Sequence, residues 1–522
     1  MNRFAALLDA LLFTPSRNSK LRLMQEYFAA APDPERGWAL AALTDELAFD
    51  EAKPNQVRAL AAARVDPVLL DWSYDFVGDL AETVSLIWPA ADGGASHVPS
   101  LSEIVDKLRG ASRGEVASLL EPWLDALDAT GRWALLKLVT GSLRIGVSAR
   151  LAKTALAEWG GVEIDRIEEI WHGLAAPYQP LFDWLEGRRP RPETGDLPTF
   201  CPLMLAQPLE DDDIAGLDPR DYLAEWKWDG IRVQLVARGA EKRLYSRSGD
   251  DIGAAFPDIC AAMPPNVTLD GELLVIRDGE VGPFNDLQQR LNRKTPNAKL
   301  LRDFPAGVRL YDILREGSED LRGLSFAERR RRLETWYARD PRVALDLSPM
   351  VPFTSWEELK ELRDGARERG IEGLMLKRAD SLYVAGRPKG PWFKWKRGAL
   401  TLDTVLMYAQ RGHGKRSSFY SDYTFGAWRG DELVPVGKAY SGYTDEELLR
   451  LDRWVRNNTM ERYGPVRVVT PQIVLEVAFD SVHRSTRHKS GVAMRFPRIH
   501  RIRWDKPIHE ADKLETLEKL LT

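Results

Sequence analysis

A stretch rich in proline and glycine divides this chain of 522 residues into two parts with different hydrophobic periods. It covers residues 187–202, where neither proline nor glycine favours a continuing helix or a central strand. Before it, apolar residues recur at intervals of three and four, and after it they alternate with polar residues. We therefore expect a helical first part, a linker, and a later part built largely on strands.

Residues 1–190 are predicted to form an all-α domain. The helical spacing is clearest in three segments that contain few β-branched runs, 103–108, 115–129 and 132–139. A part of this length can bury a core of its own.

Residues 200–398 are predicted to form an α+β domain. Alternating apolar residues at 231–235, and two apolar runs that flank an Asp-Gly pair at 270–271, indicate strands. Helical patterns are interleaved with them at 284–292, 326–338 and 356–369. The last of these patterns opens with Ser-Trp-Glu-Glu at 355–358, which is typical of a capping box.

Residues 402–522 are predicted to form a small β-barrel. Short strands alternate there with glycine-containing turns at 411–414, 429–431 and 441–442. Helical patterns lie at 444–457 and 511–521. The length of the whole chain suits three or four domains.

The composition excludes several classes of protein. With 44% apolar and 29% charged residues, the chain is neither globally disordered nor fibrous. Its most apolar N-terminal stretch, 4–13, is too short for a membrane span, so we expect no membrane partner. Only Cys201 and Cys260 are present, which excludes a disulfide framework and favours a reducing, cytoplasmic setting.

Two local clusters of cations stand out from a modest net charge of −5. The helical basic patch, residues 129–157, contains five cations and no acid, and the C-terminal basic patch, residues 481–506, contains eight cations and one acid. One interpretation is a solvated basic face. The other is a surface that follows the phosphates of a nucleic acid.

The segment 225–232 reads Glu-Trp-Lys-Trp-Asp-Gly-Ile-Arg and places Lys227 near the end of a strand. An amine becomes a nucleophile only after losing its proton, and nearby cations or burial favour that loss. Because Asp-Gly is also a turn signal, a hairpin with an exposed lysine is an alternative interpretation.

Further motifs follow Lys227 in a fixed order. They are Ser-Arg-Ser at 246–248, Asp-Gly-Glu at 270–272, Leu-Tyr-Asp at 310–312, Glu-Gly-Leu-Met-Leu-Lys at 372–377, Trp-Phe-Lys-Trp-Lys at 392–396 and Arg-Phe-Pro-Arg at 495–498. This series resembles the nucleotidyltransferase motifs of ATP-dependent DNA ligases. Leu-Arg-Ile-Gly at 143–146 resembles the helical DNA-binding domain of that family, and Arg-His-Lys-Ser-Gly at 487–491 resembles its oligonucleotide-binding (OB) domain.

The resemblance implies that Lys227 attacks the α-phosphate of ATP, forming a lysyl-AMP and releasing pyrophosphate. Lys377, Lys394 and Lys396 then supply positive charge around the amine and the transferred phosphoryl group. A cluster of lysines around a lysine is difficult to explain by structure alone.

The resemblance also implies ligands for the nucleotide and for a metal. Glu272 and Glu372 stand at the family's ribose and metal positions, and their oxygens suit Mg²⁺. Tyr311 stands where an aromatic ring stacks on adenine, and Glu225 where adenine is held. The alternative is that each glutamate pairs with a lysine and that Tyr311 is a core residue.

Residues of this chain match three further contact positions at which the family has arginine. Arg232 and Arg247 are expected to contact the nucleotide or the phosphates of a nick, for which the guanidinium fork is suited. A third contact, close before Lys394, falls on Arg387 or Lys389, in a segment whose spacing departs from the family pattern.

The resemblance also assigns roles to the last motif and to four DNA-binding residues. Arg495 is expected to close over ATP and orient the leaving pyrophosphate, after which the OB domain rotates on a hinge near 397–402 to bring its other face to DNA. Arg144 and Gly146 in the helical domain, with Lys438 and Arg487 in the OB domain, are the expected DNA-binding residues.

The resemblance therefore implies a monomeric DNA ligase that uses ATP and Mg²⁺ to seal nicked duplex DNA. It identifies no protein partner. One rival is an RNA ligase or a capping guanylyltransferase, which share the lysine motif but are not expected to carry the Leu-Arg-Ile-Gly domain. Another is a non-catalytic DNA clamp, which the complete motif series disfavours.

Overall fold

The computed structural model describes the whole chain except residues 90–96, 142, 196, 292, 294, 367–370, 413–417, 487 and 522. Within this described part, no helix is long and apolar enough to cross a membrane.

The first part of the chain is helical, as its periodicity predicts. Its helices, α1 to α12, are Asn2–Phe13, Arg17–Ala30, Glu35–Leu43, Pro54–Arg64, Pro67–Val77, Leu80–Ile87, Leu101–Gly110, Val116–Ala126, Ala129–Thr140, Ala149–Trp159, Ile164–Trp171 and Gln179–Leu185. They enclose one apolar core, in which α9 packs against α1 and α6, and α10 packs against α2. The predicted domain boundaries at 190, 200 and 398 stay predictions.

The middle part is built on two sheets flanked by helices. Its strands, β1 to β12, are Gln207–Pro208, Tyr222–Trp228, Ile231–Arg238, Glu241–Ser246, Val267–Arg277, Glu280–Val281, Ala306–Glu316, Glu319–Asp320, Leu345–Leu347, Met350–Val351, Ile371–Arg378 and Trp392–Lys396. Its helices, α13 to α17, are Pro257–Ala262, Phe284–Leu291, Ala298–Asp303, Phe326–Arg339 and Trp356–Gly365. One sheet has the order β1-β12-β11-β2-β10, and the other has β4-β3-β5-β7-β8 with β6 and β9 paired at the side.

Neither of two Asp-Gly pairs forms a hairpin turn, although Asp-Gly is a turn signal. The pair at 229–230 joins β2 to β3, which lie in different sheets, so the hairpin interpretation of the Lys227 segment is wrong. The pair at 270–271 lies inside the single strand β5, because both of its flanks pair continuously with β3. The first turn therefore places the end of β2 where the two sheets meet.

The last part is a β domain with two helices. Its strands, β13 to β21, are Leu400–Arg411, Tyr420–Arg429, Glu432–Ala439, Thr459–Tyr463, Val466–Val469, Val474–Phe479, Ser481–Arg484, Val492–Arg495 and Arg498–Arg503, and its helices α18 and α19 are Asp445–Asn457 and Leu514–Glu518. Strand β13 pairs with β18 along its first half and with β14 and β17 along its second half, as a small barrel requires. The final helix is shorter than the predicted 511–521.

Candidate active site

Lys227 lies on β2 opposite a bulge in β11. Lys227 is paired with Gly373, and the register shifts between Ile371 and Gly373, so the intervening Glu372 is the bulged residue. Gly373 has φ +146°, and a Cβ at this position would clash with the carbonyl oxygen of Trp395. The bulge turns the Glu372 carboxylate toward Lys227, and the two side chains form an ion pair.

Further cations surround this carboxylate. Lys396 Nζ lies 3.5 Å from Glu372 and 3.6 Å from Asp480 of the last part. Burial raises the pKa of Glu372, but the charges of Lys227, Lys396 and Arg495 outweigh it and hold that pKa at about 2. Glu372 is therefore ionised and is a weak base in this arrangement.

Lys394 belongs to a cationic cluster, which consists of this lysine and its charged neighbours. Its pKa is lowered by burial and by the charges of four neighbours, Lys396, Arg387, Lys227 and Arg247. The fold thus brings together five of the cations that the sequence singles out. Such a cluster favours the neutral form of an amine and attracts phosphate oxygens.

Arg495 links the last part of the chain to the middle part. It ends β20 and forms an ion pair with Asp229, two residues after Lys227 in sequence. Its guanidinium carbon lies 4.1 Å from the ring centroid of Phe284. The last part of the chain therefore contacts the middle part beside the Lys227 pocket.

Glu272 borders the same pocket from the second sheet. It lies on β5 directly opposite Arg232 on β3. Burial raises the pKa of Glu272 to about 8, with Lys227 and Arg232 opposing the rise and Glu372 adding to it. Its carboxyl group is therefore mainly protonated near neutral pH until a cation approaches.

The donors present suit a metal that is shared with a phosphate ligand. Within the described residues, no group of three or more Asp, Glu, His or Cys side chains is placed to hold a metal ion. Mg²⁺ is commonly bound by one or two carboxylates together with substrate phosphates and water. Glu272 and Glu372 fit this use, since Glu372 lies close enough for its charge to raise the pKa of Glu272.

Lys377 lies deeper than the lysine motif implies. Its Nζ is 2.7 Å from Glu225 Oε2, and each side chain is only 2% exposed. The contact has the geometry of an ion pair and not of an aligned hydrogen bond. The ammonium also lies 4.6 Å from the ring of Tyr311 and 4.7 Å from that of Trp392. The resemblance implies that Lys377 adds charge beside Lys227, but the carboxylate that its Nζ contacts is that of Glu225.

Arg232 is held in place by one residue of the second sheet and by two residues outside its strands. It donates to Asp270 at 2.7 Å, to the Tyr383 hydroxyl at 3.1 Å and to the Met204 carbonyl at 2.7 Å. Its guanidinium carbon lies 5.9 Å from the ring of Tyr311. Arg232, Tyr311, Glu225 and Lys377 therefore form one wall of the pocket.

Several residues of the site have no role in the sequence interpretation. Asp229 and Asp270 belong to the quoted motifs, but their partners, Arg495 and Arg232, are set by long-range pairing. Arg330 lies 3.4 Å from Glu225 and sits in a run of four arginines on α16. This run of arginines is the sequence feature that points to Arg330, because two of its four members, Arg329 and Arg330, are buried.

The expected DNA-binding residues lie outside this pocket. Arg144 has φ +47° and Gly146 has φ +67°, in a loop whose carbonyls at Ile145 and Gly146 accept from Lys20 Nζ at 2.7 and 2.9 Å. Lys438 Nζ lies 3.0 Å from Asp422. Arg487 lies outside the described residues.

The fold neutralises much of the helical basic patch. Lys137 is buried 2.5 Å from Asp79, and Lys153 is buried 4.8 Å from the ring of Trp171. In the C-terminal basic patch, acids from other segments pair with several cations: Arg495 with Asp229, Arg498 with Asp480, and Lys506 with Asp403. Fewer cations of the two patches are therefore unpaired than a count along the sequence suggests, and both interpretations of the patches stay open, although Arg144 is exposed.

Known proteins are similar to this chain along its length. A family profile described as "ATP dependent DNA ligase domain" matches residues 203–396, and one described as "ATP dependent DNA ligase C terminal region" matches residues 416–506. "DNA ligase 1" of Korarchaeum cryptofilum is 30% identical over 547 residues, covering 100% of this chain and 98% of that protein. A "Probable DNA ligase" of Koribacter versatilis is 36% identical over 412 residues, covering 74% and 71% respectively.

The fold is similar to that of a solved structure as well. The chain named "Pmar-Lig_Pre." has a TM-score of 0.60 and 16% identity, covering 96% of this chain and 99% of that one. The matches confirm the predicted fold class, with a helical N-terminal region, a nucleotidyltransferase domain and a C-terminal OB-like domain. The chain therefore belongs to the ATP-dependent DNA ligases, which are enzymes that use ATP and act on DNA.

Proposed function

We propose that this ligase seals nicks with a 5′-phosphate and a 3′-hydroxyl in duplex DNA, through an AMP carried on Lys227. The Lys227 amine attacks the α-phosphate of ATP, so a P–N bond forms while the bond to pyrophosphate breaks. The AMP then passes to the 5′-phosphate of the nick. Finally the 3′-hydroxyl attacks that phosphate, the strand is joined and AMP leaves.

The observation that carries this proposal is the position of the Lys227 amine. It lies against Glu372 and among Lys394, Lys396 and Arg495, in a half-buried pocket between the sheets. Phosphoryl transfer depends mainly on positioning and on charge stabilisation, which this pocket supplies. A structural lysine needs no such surroundings.

The remaining pocket residues bind different portions of the nucleotide. Tyr311 offers a ring for adenine, with Glu225 held at its edge by Lys377. Arg232, Arg247 and Arg387 supply guanidinium groups for phosphates.

Glu272 and Glu372 would hold Mg²⁺ with the phosphates, and the metal would neutralise charge that develops during transfer. A bound cation would favour the ionised form of Glu272, whose pKa burial raises to about 8. Removal of the metal by a chelator should stop protein-AMP formation.

Arg495 and the DNA contacts act at different stages. Arg495 stands beside Asp229, where it can orient the pyrophosphate leaving group. The OB domain must then move for DNA to reach the bound AMP. We assign Arg144, Gly146, Lys438 and Arg487 to that DNA-bound stage, and we propose that the enzyme acts as a monomer.

The Lys227→Ala variant tests the reaction path. It should lose sealing of ordinary nicks by at least about a thousandfold, because the nucleophile is absent. It should still seal nicks that already carry AMP on the 5′-phosphate, since that step does not use the amine as a nucleophile. Gel assays with both substrates measure the two reactions, and circular dichroism checks the fold.

Ordinary sealing by Lys227→Ala would contradict the assignment. Sealing by the unaltered enzyme of nicked RNA in preference to DNA would favour the RNA ligase rival. DNA binding with neither protein-AMP nor sealing would favour the clamp.

A further inference from the structure

One of the contacts between the helical part and the middle part involves a histidine. His172 follows the end of α11, and its Nε2 lies 2.7 Å from the carbonyl oxygen of Gly249. Because a carbonyl only accepts, Nε2 carries the proton in this contact. Nδ1 is buried and has no hydrogen-bond partner among the described residues, in accord with a neutral ring.

Packing fixes the histidine in this position. The His172 ring centroid lies 4.6 Å from that of Tyr245 and 5.8 Å from that of Phe200. Gly249 has φ +90°, and a Cβ there would lie 3.6 Å from the imidazole. That distance is an ordinary van der Waals contact, so it is the positive φ of this loop position that favours glycine.

Gly249 belongs to the tight loop that carries Arg247. The Gly249 N–H donates to the Ser246 carbonyl at 3.0 Å, and the Ser246 N–H donates to the Asp250 carbonyl at 2.8 Å. Arg247 lies at the exposed tip, close enough for its charge to lower the pKa of Lys394. A displacement at Gly249 would therefore move Arg247 relative to the cationic cluster.

We infer that His172 is a positioning residue for Arg247. Through the Gly249 carbonyl, the helical part that we propose to bind DNA also sets where the Arg247 guanidinium stands for the phosphate it contacts. The inference rests on the proposed nick-sealing function. It adds a physical link between the helical part and the pocket, which no motif in the sequence indicates.

A double-mutant cycle tests this link. His172→Phe retains a ring but loses the donor, His172→Gln offers an amide donor at a similar distance, and Arg247→Ala removes the proposed target. The single-turnover rates of self-adenylation and of sealing on a pre-adenylated nick are measured for each variant. The control is Glu169→Gln, which weakens a 3.3 Å contact to Arg322 across the same interface without touching the loop.

We expect His172→Phe to slow the same step as Arg247→Ala, by about tenfold. The double variant should be no slower than Arg247→Ala alone, because one residue acts through the other. His172→Gln should regain most of the rate, and Glu169→Gln should keep it. Melting temperatures show whether any variant loses its fold.

Additive losses in the double variant, or an unchanged rate in either His172→Phe or Arg247→Ala, would overturn the inference. So would a loss in His172→Phe that His172→Gln fails to restore. In all these outcomes Lys227 can still form protein-AMP. Failure of the unaltered enzyme to form it would instead refute the proposed function.

Discussion

At the scale of single residues, the buried Glu225–Lys377 pair most changes the picture of the site. Removing two charges from water is costly unless they compensate each other, and leaving one of them alone costs more. Here Arg330 and three aromatic rings complete the surroundings of the pair. Lys377 is thus a support for the wall of the pocket that Glu225 and Tyr311 form, more than a direct neighbour of Lys227.

Lys377→Met should lower the free energy of unfolding by about 3 kcal/mol, because it leaves the Glu225 carboxylate buried with less compensation. Urea unfolding followed by circular dichroism measures the change. Lys360→Met, which removes a half-exposed lysine paired with Asp211, is the matched control and should cost less than about 1 kcal/mol. Combining Lys377→Met with Glu225→Gln should recover part of the loss, and a larger loss in the combination would contradict this account.

At the scale of elements, the β11 bulge and the turn after β2 build the pocket. The turn carries the chain from one sheet to the other, and the bulge directs Glu372 back toward Lys227. Both features require glycine, either for an unusual φ or for close backbone approach.

Gly373→Ala should lower both the melting temperature and the rate of self-adenylation, because a Cβ meets the Trp395 carbonyl and the bulge must shift. We expect a drop of several degrees, which follows from a cost of about 1–3 kcal/mol. Gly365→Ala, at a position with open space at the end of α17, is the control and should change neither quantity by much. Equal effects of the two substitutions would contradict the role of the bulge.

Hydrophobic period and turn residues predict much of this architecture. The helices α7, α9 and α16 and the strand β3 lie where the spacing places them, since local patterning decides each. Local patterning does not reveal which strands pair, so the hairpin interpretation at 229–230 is wrong. The expected capping box at α17 is also displaced: Ser355 accepts from the Glu358 N–H, but the Glu358 carboxylate accepts from Thr354.

At the scale of the whole molecule, long-range pairing decides how much charge reaches the surface. Lys137 pairs with Asp79, which lies 58 residues earlier in the chain, and Arg495 pairs with Asp229 of the middle part. A count of cations within a sequence window cannot include such partners. The order of the motifs predicts the family and its nucleotide chemistry. It does not reveal the contact of Arg495 with Asp229 or the burial of Lys137, because both depend on residues far apart in the sequence.

The salt dependence of DNA binding should reflect this pairing. Each phosphate contact contributes about −0.9 to the slope of log affinity against log salt. Arg144→Ala should reduce the magnitude of that slope by about one, whereas Lys137→Met should leave it unchanged because Lys137 is already buried against Asp79. Titrations of nicked duplex at several salt concentrations measure the slopes. An unchanged slope in Arg144→Ala, or a loss in Lys137→Met equal to that in Arg144→Ala, would contradict the assigned surface.

The central claim is that the amine of Lys227 carries AMP, and peptide mass spectrometry tests it most directly. The enzyme is incubated with ATP and Mg²⁺ without DNA, digested with trypsin at neutral pH, and compared with a sample that lacks ATP. We expect the peptide 221–232 to gain the mass of one AMP, with Lys227 uncut. An adduct on a different residue, or no adduct in enzyme that seals nicks, would contradict the account.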